Sequence, residues 1–378
     1  MSSIDPVLQS IAAQLPPSCS TTEELLSAAG DRLSDKLRLM LGSLGVESRY
    51  SVLRNFPDVL FGGAAPELAV PASTLAAQAA RSCLERADID PGKIGLVLGV
   101  TSSPARLLPS MVCDLLALMP EIPRDVATLS VSYMGCSAIA KVVEAARWYL
   151  TVNPGKRVLA CFMDAITPLS PPLPGTYQHF SEIDPLRRQD TVNVMHGFLF
   201  GDAAVAMVLG AEGVGPTFGP VVHLTNERPE DTELGTVPDG GSDLPIVQGR
   251  RLYTLSADVT PRGAFYTSQT VQALLARDDC RLAKAGEATA LLLHTGSHRI
   301  LDKLCETFGV LSDGPQMASS YAVLRNYGNT IGCSVPLMLA EDVERPAGEA
   351  LLVAFGLSFS CGAFTMTVPA GGWRPGRF

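Results

Sequence analysis

A chain of 378 residues is long enough for a large core, and its length suggests two domains or one duplicated unit. With 47% hydrophobic and 18% charged residues, the composition excludes a disordered polymer and indicates a compact, deeply buried fold. The formal net charge of -9 argues against nucleic acid or an anionic membrane surface as a principal partner, though a local basic patch could still hold a phosphorylated carrier.

The first 60 residues carry mostly helical patterns, with Thr21-Thr-Glu-Glu24 as a capping start, and end in Ser48-Arg-Tyr50. Leu75, Ala79, Cys83 and Leu84 predict a helix over 71–87. Residues 95–100 form a continuous apolar run of buried-strand type that ends in Thr101-Ser-Ser103, and a short helix follows around 110–119. A strand-like run, 126–132, then feeds Gly135-Cys136, after which Ala138, Val142, Ala145 and Tyr149 recur at helical spacing to about residue 150. Gly135 permits a sharp turn, and Cys136 falls where a strand meets a helix N-terminus, a place that favours thiolate. The same pattern describes a small buried thiol packed behind a strand, and locally both readings stand. Residues 157–162 are a further strand. Residues 164–196, with prolines at 168, 171, 172, 174 and 185, show no period and are expected to form an ordered loop over the surface or the site mouth. Phe198-Leu-Phe-Gly-Asp202 leads into a strand at 203–209.

The second half repeats this order. A buried strand over 289–294 leads into a helix over 298–308, and Asn326-Tyr-Gly-Asn329 precedes a helix at about 335–341 with Pro336 in its first turn. Strands at 350–355 and 362–368 then match 157–162 and 203–209. The uncharged stretch 350–373 is broken by Gly356, Gly362 and Pro369, so two buried strands joined by a tight turn explain it better than a membrane span. Both halves run strand, helix, strand, strand, the mark of an internal duplication with a division into 1–213 and 214–378. Cys136 precedes the long helix of the first copy and Asn329 that of the second. Near-continuous apolar strands with helices between them imply a layered α/β fold with mixed central sheets.

Nine cysteines, none in a CxxC pair, and no signal-peptide pattern point to a reduced, cytoplasmic protein. The five histidines do not join the cysteines at ligand spacing, so no metal is expected. His294 closes the apolar strand Ala290-Leu-Leu-Leu293, either as a catalytic group or as a plain strand cap. Asn329, between Gly328 and Thr330, is equally an N-cap. His298, one helical turn after His294, is an alternative functional histidine but is expected to face solvent, and Asp202 is expected to fix a turn.

Taken in order, Met134-Gly-Cys-Ser-Ala138, Leu199-Phe-Gly-Asp-Ala203, His294-Thr-Gly-Ser-His-Arg-Ile-Leu-Asp302 and Tyr327-Gly-Asn-Thr330 resemble the chalcone-synthase-like type III polyketide synthases. More broadly they resemble the condensing enzymes related to ketoacyl synthase III, on the thiolase fold. Leu252-Tyr-Thr-Leu-Ser-Ala-Asp-Val259, and Thr101-Ser-Ser103 followed by Leu108-Pro109, extend the resemblance over roughly residues 45 to 365. It implies a five-layered αβαβα sandwich of two duplicated halves and a triad of Cys136, His294 and Asn329. Cys136 would carry an acyl group from a thioester. His294 and Asn329 would hold the thioester oxygen and the enolate formed when a malonyl thioester loses carbon dioxide. The resemblance further implies Phe200 as the aromatic gatekeeper, Tyr253 as a second aromatic of the wall, and Leu108 as the residue protruding into a neighbouring subunit of a homodimer. It implies acyl-CoA and malonyl-CoA as substrates of a secondary-metabolite pathway, with no cofactor.

The chain also departs from the family. Phe355-Gly-Leu-Ser-Phe-Ser-Cys-Gly362 looks more like ketoacyl synthase III, and Ile331 stands where a small residue is usual and should narrow the cavity. The loop 164–196 has no clear family counterpart, and the basic residues expected to grip coenzyme A phosphates do not align cleanly, leaving Lys36, Arg38 and Arg54 as nearby candidates. A second reading therefore keeps the triad for a single condensation or acyl transfer using acyl carrier protein. A third, a non-catalytic thiolase-fold subunit, sits poorly with a chain that retains all three triad residues.

Overall fold

The computed structural model describes residues 4–178, 185–237, 254–256, 258–357 and 359–375, the side chains of 185–188 excepted. Among these residues nine strands join in one sheet: β1 (Val7–Gln14), β2 (Ile94–Thr101), β3 (Ala127–Ser132), β4 (Arg157–Asp164), β5 (Ala203–Gly210), β6 (Thr217–Thr225), β7 (Ala290–Leu293), β8 (Gly348–Gly356) and β9 (Ser360–Val368). Their order across the sheet is β7-β8-β9-β6-β1-β5-β4-β2-β3. In the first half β4, β2 and β3 run parallel and β5 is antiparallel to both β4 and β1. The second half repeats this, with β7 parallel to β8 and β9 antiparallel to both β8 and β6. The two halves of the sheet meet only where Val7 pairs with Thr217.

Among the helices that complete the layers are α1 (Ala72–Arg86), α2 (Met111–Leu118), α3 (Ala138–Val152), α4 (Val259–Leu275), α5 (His298–Phe308) and α6 (Ser334–Ala340). Helices α1 and α2 cover one face of the first-half strands, and α4 covers the far face of the second-half strands. Between the two halves lie α3 and α6, where Ile139, Val142 and Met338 pack among Leu98, Phe162, Leu352 and Phe364. This is the expected αβαβα sandwich. It also explains why β2 and β5 are buried at every position, since helices cover both of their faces.

Several expectations need correction. The first 60 residues are not mostly helical, because β1 lies at the centre of the sheet. Ser10 and two glutamines interrupt its apolar run, and the buried Ser10 hydroxyl is satisfied by donating to the Cys83 carbonyl. The capping start is present: Thr21 and Glu24 cap the helix Thr22–Ala29 reciprocally. Residues 164–196 are not simply a loop, since a helix, Pro185–Leu199, occupies the end of the stretch. Buried Thr191 and His196 lie there beside Val194 and Phe198, which hides the apolar period. Tyr253 lies outside the described residues. No helix among them is long and apolar enough to cross a membrane.

The edge strand β3 has a single neighbour, β2, and its residues Ala127 to Ser130 are exposed, with Leu129 46% accessible. Leu107 and Leu108, in the loop leaving β2, are 71% and 84% exposed.

Candidate active site

The end of β3 and the start of α3 build a narrow turn. Tyr133 and Gly135 both adopt left-handed backbone, with φ of 58° and 54°, and Gly135 opens a single helical turn through Cys136 and Ser137. Two bonds anchor it to the strand next door: Tyr133 N donates to Thr101 O (3.0 Å) and Gly135 N to Ser102 Oγ (3.0 Å). Cys136 is buried there.

The second half builds a matching turn, Ile331–Cys333, at the start of α6, and it also opens on a left-handed residue. That residue is Ile331, at φ 51°. A β-branched side chain is strained in this region, and such strain persists only where the surroundings enforce it. Here the Ile331 N–H donates to Asn329 Oδ1 (2.9 Å), and Gly332 N donates to Asp164 Oδ2 (2.9 Å). With Oδ1 engaged, the buried Asn329 amide has its Nδ2 hydrogens left for another acceptor.

The two turns and the β8–β9 hairpin meet backbone to backbone. A Cβ on Gly356 would lie 2.7 Å from Cys136 N, and one on Gly332 would lie 3.6 Å from Gly135 O. His294 follows β7, its N–H donating to Val353 O on β8 (2.9 Å), and its ring stands edge-on to Phe355, 5.8 Å between centroids. The Phe200–Asn329 segments form a bridge in which Asn329 N donates to Leu199 O (2.9 Å) and Gly201 N to Asn329 O (3.2 Å). Cys136, His294, Asn329 and Phe200 are therefore carried to one end of the sheet by adjoining elements. No hydrogen bond links Cys136, His294 and Asn329 among the described residues.

Electrostatics oppose one expectation. Burial, followed by the nearby Asp164 carboxylate, drives the Cys136 thiol well above its ordinary value, so the turn does not hold a thiolate at rest. The dipole of α3 is outweighed because desolvation disfavours any charged sulfur in this position. Burial likewise pulls His294 down to about 3, which leaves the ring neutral. Its Nδ1 is buried without a hydrogen-bond partner among the described residues.

Folding lowers the His294 value, so its neutral form stabilises the fold fully above the unfolded value of about 6.5. That contribution is lost as the pH falls toward about 3. Asp164 and Asp202, raised by burial to about 6, act oppositely: their contribution is lost as the pH rises through that value. On moving from pH 7 to pH 5, His294→Phe should lose less stability, or gain more, than the parent chain in urea unfolding. Equal changes in the two proteins would refute the assignment.

Sequence reasoning missed Asp164. Its Oδ1 accepts from Ser102 N (2.8 Å) and Ser103 Oγ (2.9 Å) while Oδ2 accepts from Gly332 N, so one buried carboxylate joins the Cys136 turn, through Ser102, to the Asn329 turn. The available signal was the one that singled out His294: a polar residue closing an apolar strand. Asp202 does not fix its own turn but ties distant segments together, accepting from Ile166 N (2.6 Å), Thr167 N (2.9 Å) and Val52 N (2.8 Å).

Ile331 is buried in the same cluster as Cys136 and Phe200, whereas Leu108 projects from the surface. His298 is only half-buried and bonds Asp302. Arg38 is committed to the carbonyls of Leu26, Gly30 and Leu33, where it closes the end of the helix Thr22–Ala29. Lys36 and Arg54 remain exposed. Cavities of about 270 Å³, beside Leu37 and Tyr177, and about 230 Å³, beside Val222 and Phe265, do not touch the triad.

Residues 283–368 match the family described as 3-oxoacyl-[acyl-carrier-protein] synthase III, C-terminal. A beta-ketoacyl-[acyl-carrier-protein] synthase III of Nitratidesulfovibrio vulgaris is 27% identical over 306 residues, 77% of this chain and 82% of that protein. One of Synechococcus sp. is 29% identical over 309 residues, 76% and 79% of the two chains. Among solved structures, the C-terminal type III polyketide synthase domain of Steely1 from Dictyostelium superposes with a TM-score of 0.76 at 17% identity, covering 96% of this chain and 99% of that one. The 3-oxoacyl-(acyl carrier protein) synthase III of Pseudomonas aeruginosa gives 0.70 at 18% identity, covering 97% and 98%. The chain is thus similar in sequence to ketoacyl synthases III and shares its fold with solved ketoacyl synthase III and type III polyketide synthase structures.

Proposed function

We propose that the chain catalyses decarboxylative Claisen condensation of an acyl thioester with a malonyl thioester through an acyl group held on Cys136. The observation that carries this reading is the convergence of the Cys136 turn, the Asn329 turn and His294 at one end of the sheet, with Asn329 held so that its Nδ2 hydrogens remain available. In the first step Cys136 Sγ bonds to the acyl carbon, the bond to the departing sulfur breaks, and the thiol proton leaves with that thiolate. The attacking form is the thiolate, so the resting thiol gives up its proton as the new bond forms, and the departing sulfur takes that proton up, leaving no net change of charge. In the second step the malonyl unit loses carbon dioxide and the electron pair of the broken C–C bond becomes an enolate. Its oxygen is met by hydrogen bonds from the neutral His294 ring and the Asn329 amide. The enolate carbon attacks the acyl carbon and Cys136 leaves as thiolate, to be reprotonated. Carbon dioxide loss drives the sequence, so no strong base is required.

Two observations support one condensation per turnover: Ile331 fills space beside Cys136 and Phe200, and the sequence relatives are named as ketoacyl synthases III. The second reading, iterative extension from free malonyl-CoA in the manner of a type III polyketide synthase, draws on the likeness to the Steely1 domain and on the Phe200–Asn329 bridge. Incubation with an acyl-CoA panel and either malonyl-CoA or malonyl carrier protein, followed by product mass, separates the two. One added two-carbon unit is expected. Products with several units formed without carrier protein would overturn the single-condensation reading in favour of the second.

A homodimer belongs to the same proposal. The exposed apolar edge β3 leaves a row of backbone groups for a second copy, and Leu107 and Leu108 stand out from the neighbouring loop.

A further inference from the structure

Helix α3 carries a lysine among apolar neighbours. Lys141 is half-buried between the fully buried Ala140 and Val142. Its Nζ donates to Ser137 Oγ (3.1 Å) and Ser360 Oγ (2.7 Å), and no carboxylate among the described residues pairs with it. Burial lowers its pKa to about 8, and the ionisable groups acting with it are Cys361 on β9 and His223 on β6. An apolar side chain of similar length would fill this position at a smaller desolvation cost.

The two hydroxyls that receive the ammonium belong to opposite sides of one close contact. Ser137 directly follows Cys136, and its own hydroxyl donates to Met134 O (2.9 Å), at the residue that precedes the nucleophile turn. Ser360 pairs across the β8–β9 hairpin with Gly356, the residue whose Cα faces Cys136 N. Ser360 Oγ is also bonded by Thr225 of β6 (3.0 Å), which holds the hairpin side in place. The lysine therefore spans the joint between the turn that carries the thiol and the backbone packed against it. Misplacement of reacting groups by about 1 Å can cost on the order of a hundredfold in rate, so the stiffness of this joint bears on catalysis.

We propose that Lys141 is a positioning residue for the acylation of Cys136, its ammonium clamping the β8–β9 hairpin onto the nucleophile turn. The inference rests on the reading of Cys136 as the acyl acceptor. Intact-mass time courses of acylation, run against acyl-CoA concentration for the parent chain, C136A, K141M, S360A and the K141M/S360A double variant, test it. K141M should lower the maximal acylation rate about tenfold, with half-saturation and melting temperature unchanged. S360A should show a loss in the same direction, and the double variant should be no slower than the slower single variant, because both cut the same clamp. Parent-like rates in K141M and S360A, losses that follow melting temperature, or additive losses in the double variant would overturn the proposal. If K141M does not fold, S360A, which removes only one hydroxyl, decides by its rate alone. A parent chain that forms no adduct, or C136A that still forms one, would instead remove the underlying reading of Cys136.

Discussion

Cys136→Ala is expected to abolish the acyl adduct and to slow condensation by about a thousandfold or more, the scale on which losing a covalent nucleophile is felt. The fold should tolerate the change: the side chain is small and only the sulfur is removed from a closely packed turn. Loss of stability should stay near about 1 kcal/mol, in the range of a modest core truncation. The proposed division of labour sets a sharper expectation. The enolate is held by His294 and Asn329, so C136A should continue to release carbon dioxide from the malonyl thioester while making no condensed product. Carbon dioxide release that falls together with condensation would show that Cys136 takes part in decarboxylation and that the steps are not separable.

Asn329 is expected to show the converse. Asn329→Leu removes the amide donors and should lower both decarboxylation and condensation by about a hundredfold to a thousandfold, as loss of one oxyanion donor does elsewhere. It also removes the acceptor of the Ile331 N–H, and leaving a buried donor unmet costs about 1–3 kcal/mol. Asn329→Asp isolates the chemistry, because a carboxylate oxygen can still accept from Ile331 while the donor is gone and a charge opposes the enolate. The aspartate variant should therefore melt closer to the parent than the leucine variant does, yet be at least as impaired in decarboxylation. If it kept parent activity, Asn329 would be a structural turn cap and nothing more.

The sequence showed the parts of this fold that water never reaches. The runs at 95–100, 157–162, 203–209, 289–294, 350–355 and 362–368 were recognisable as strands because helices cover both faces of the sheet. What escaped was polar or irregular. β1 contains Ser10 in a fully buried place, β6 contains Gly219 and Pro220, and α4 begins Val-Thr-Pro-Arg-Gly. Each gives up its local signature to tertiary packing. The candidate site divides the same way. Cys136, His294 and Asn329 stood out as candidates because each stands at the junction of an apolar element with a turn, but only the resemblance to the condensing enzymes joined them into a triad. The resting charge state was not legible, since desolvation depends on how closely three turns crowd together. Asp164 and Lys141 also went unmarked, because their roles lie in partners 168 and 219 residues away.

The meeting of Gly135, Gly332 and Gly356 has a consequence for how such a protein can diverge. Where backbone touches backbone there is no side chain to exchange, and any Cβ at Gly356 collides with Cys136 N. Gly356 is barred by that collision and Gly135 by its left-handed backbone, while a Cβ at Gly332 would crowd Asp164 Oδ2 at 3.0 Å, so innovation in substrate choice has to come from the rim of this junction. Phe200 and Ile331, buried in the same apolar cluster as Cys136, are positions on that rim where a change of volume would alter the space around the thiol. A library randomised at the two rim positions should yield folded variants with new acyl preferences, whereas one randomised at the three glycines should return almost only the parent.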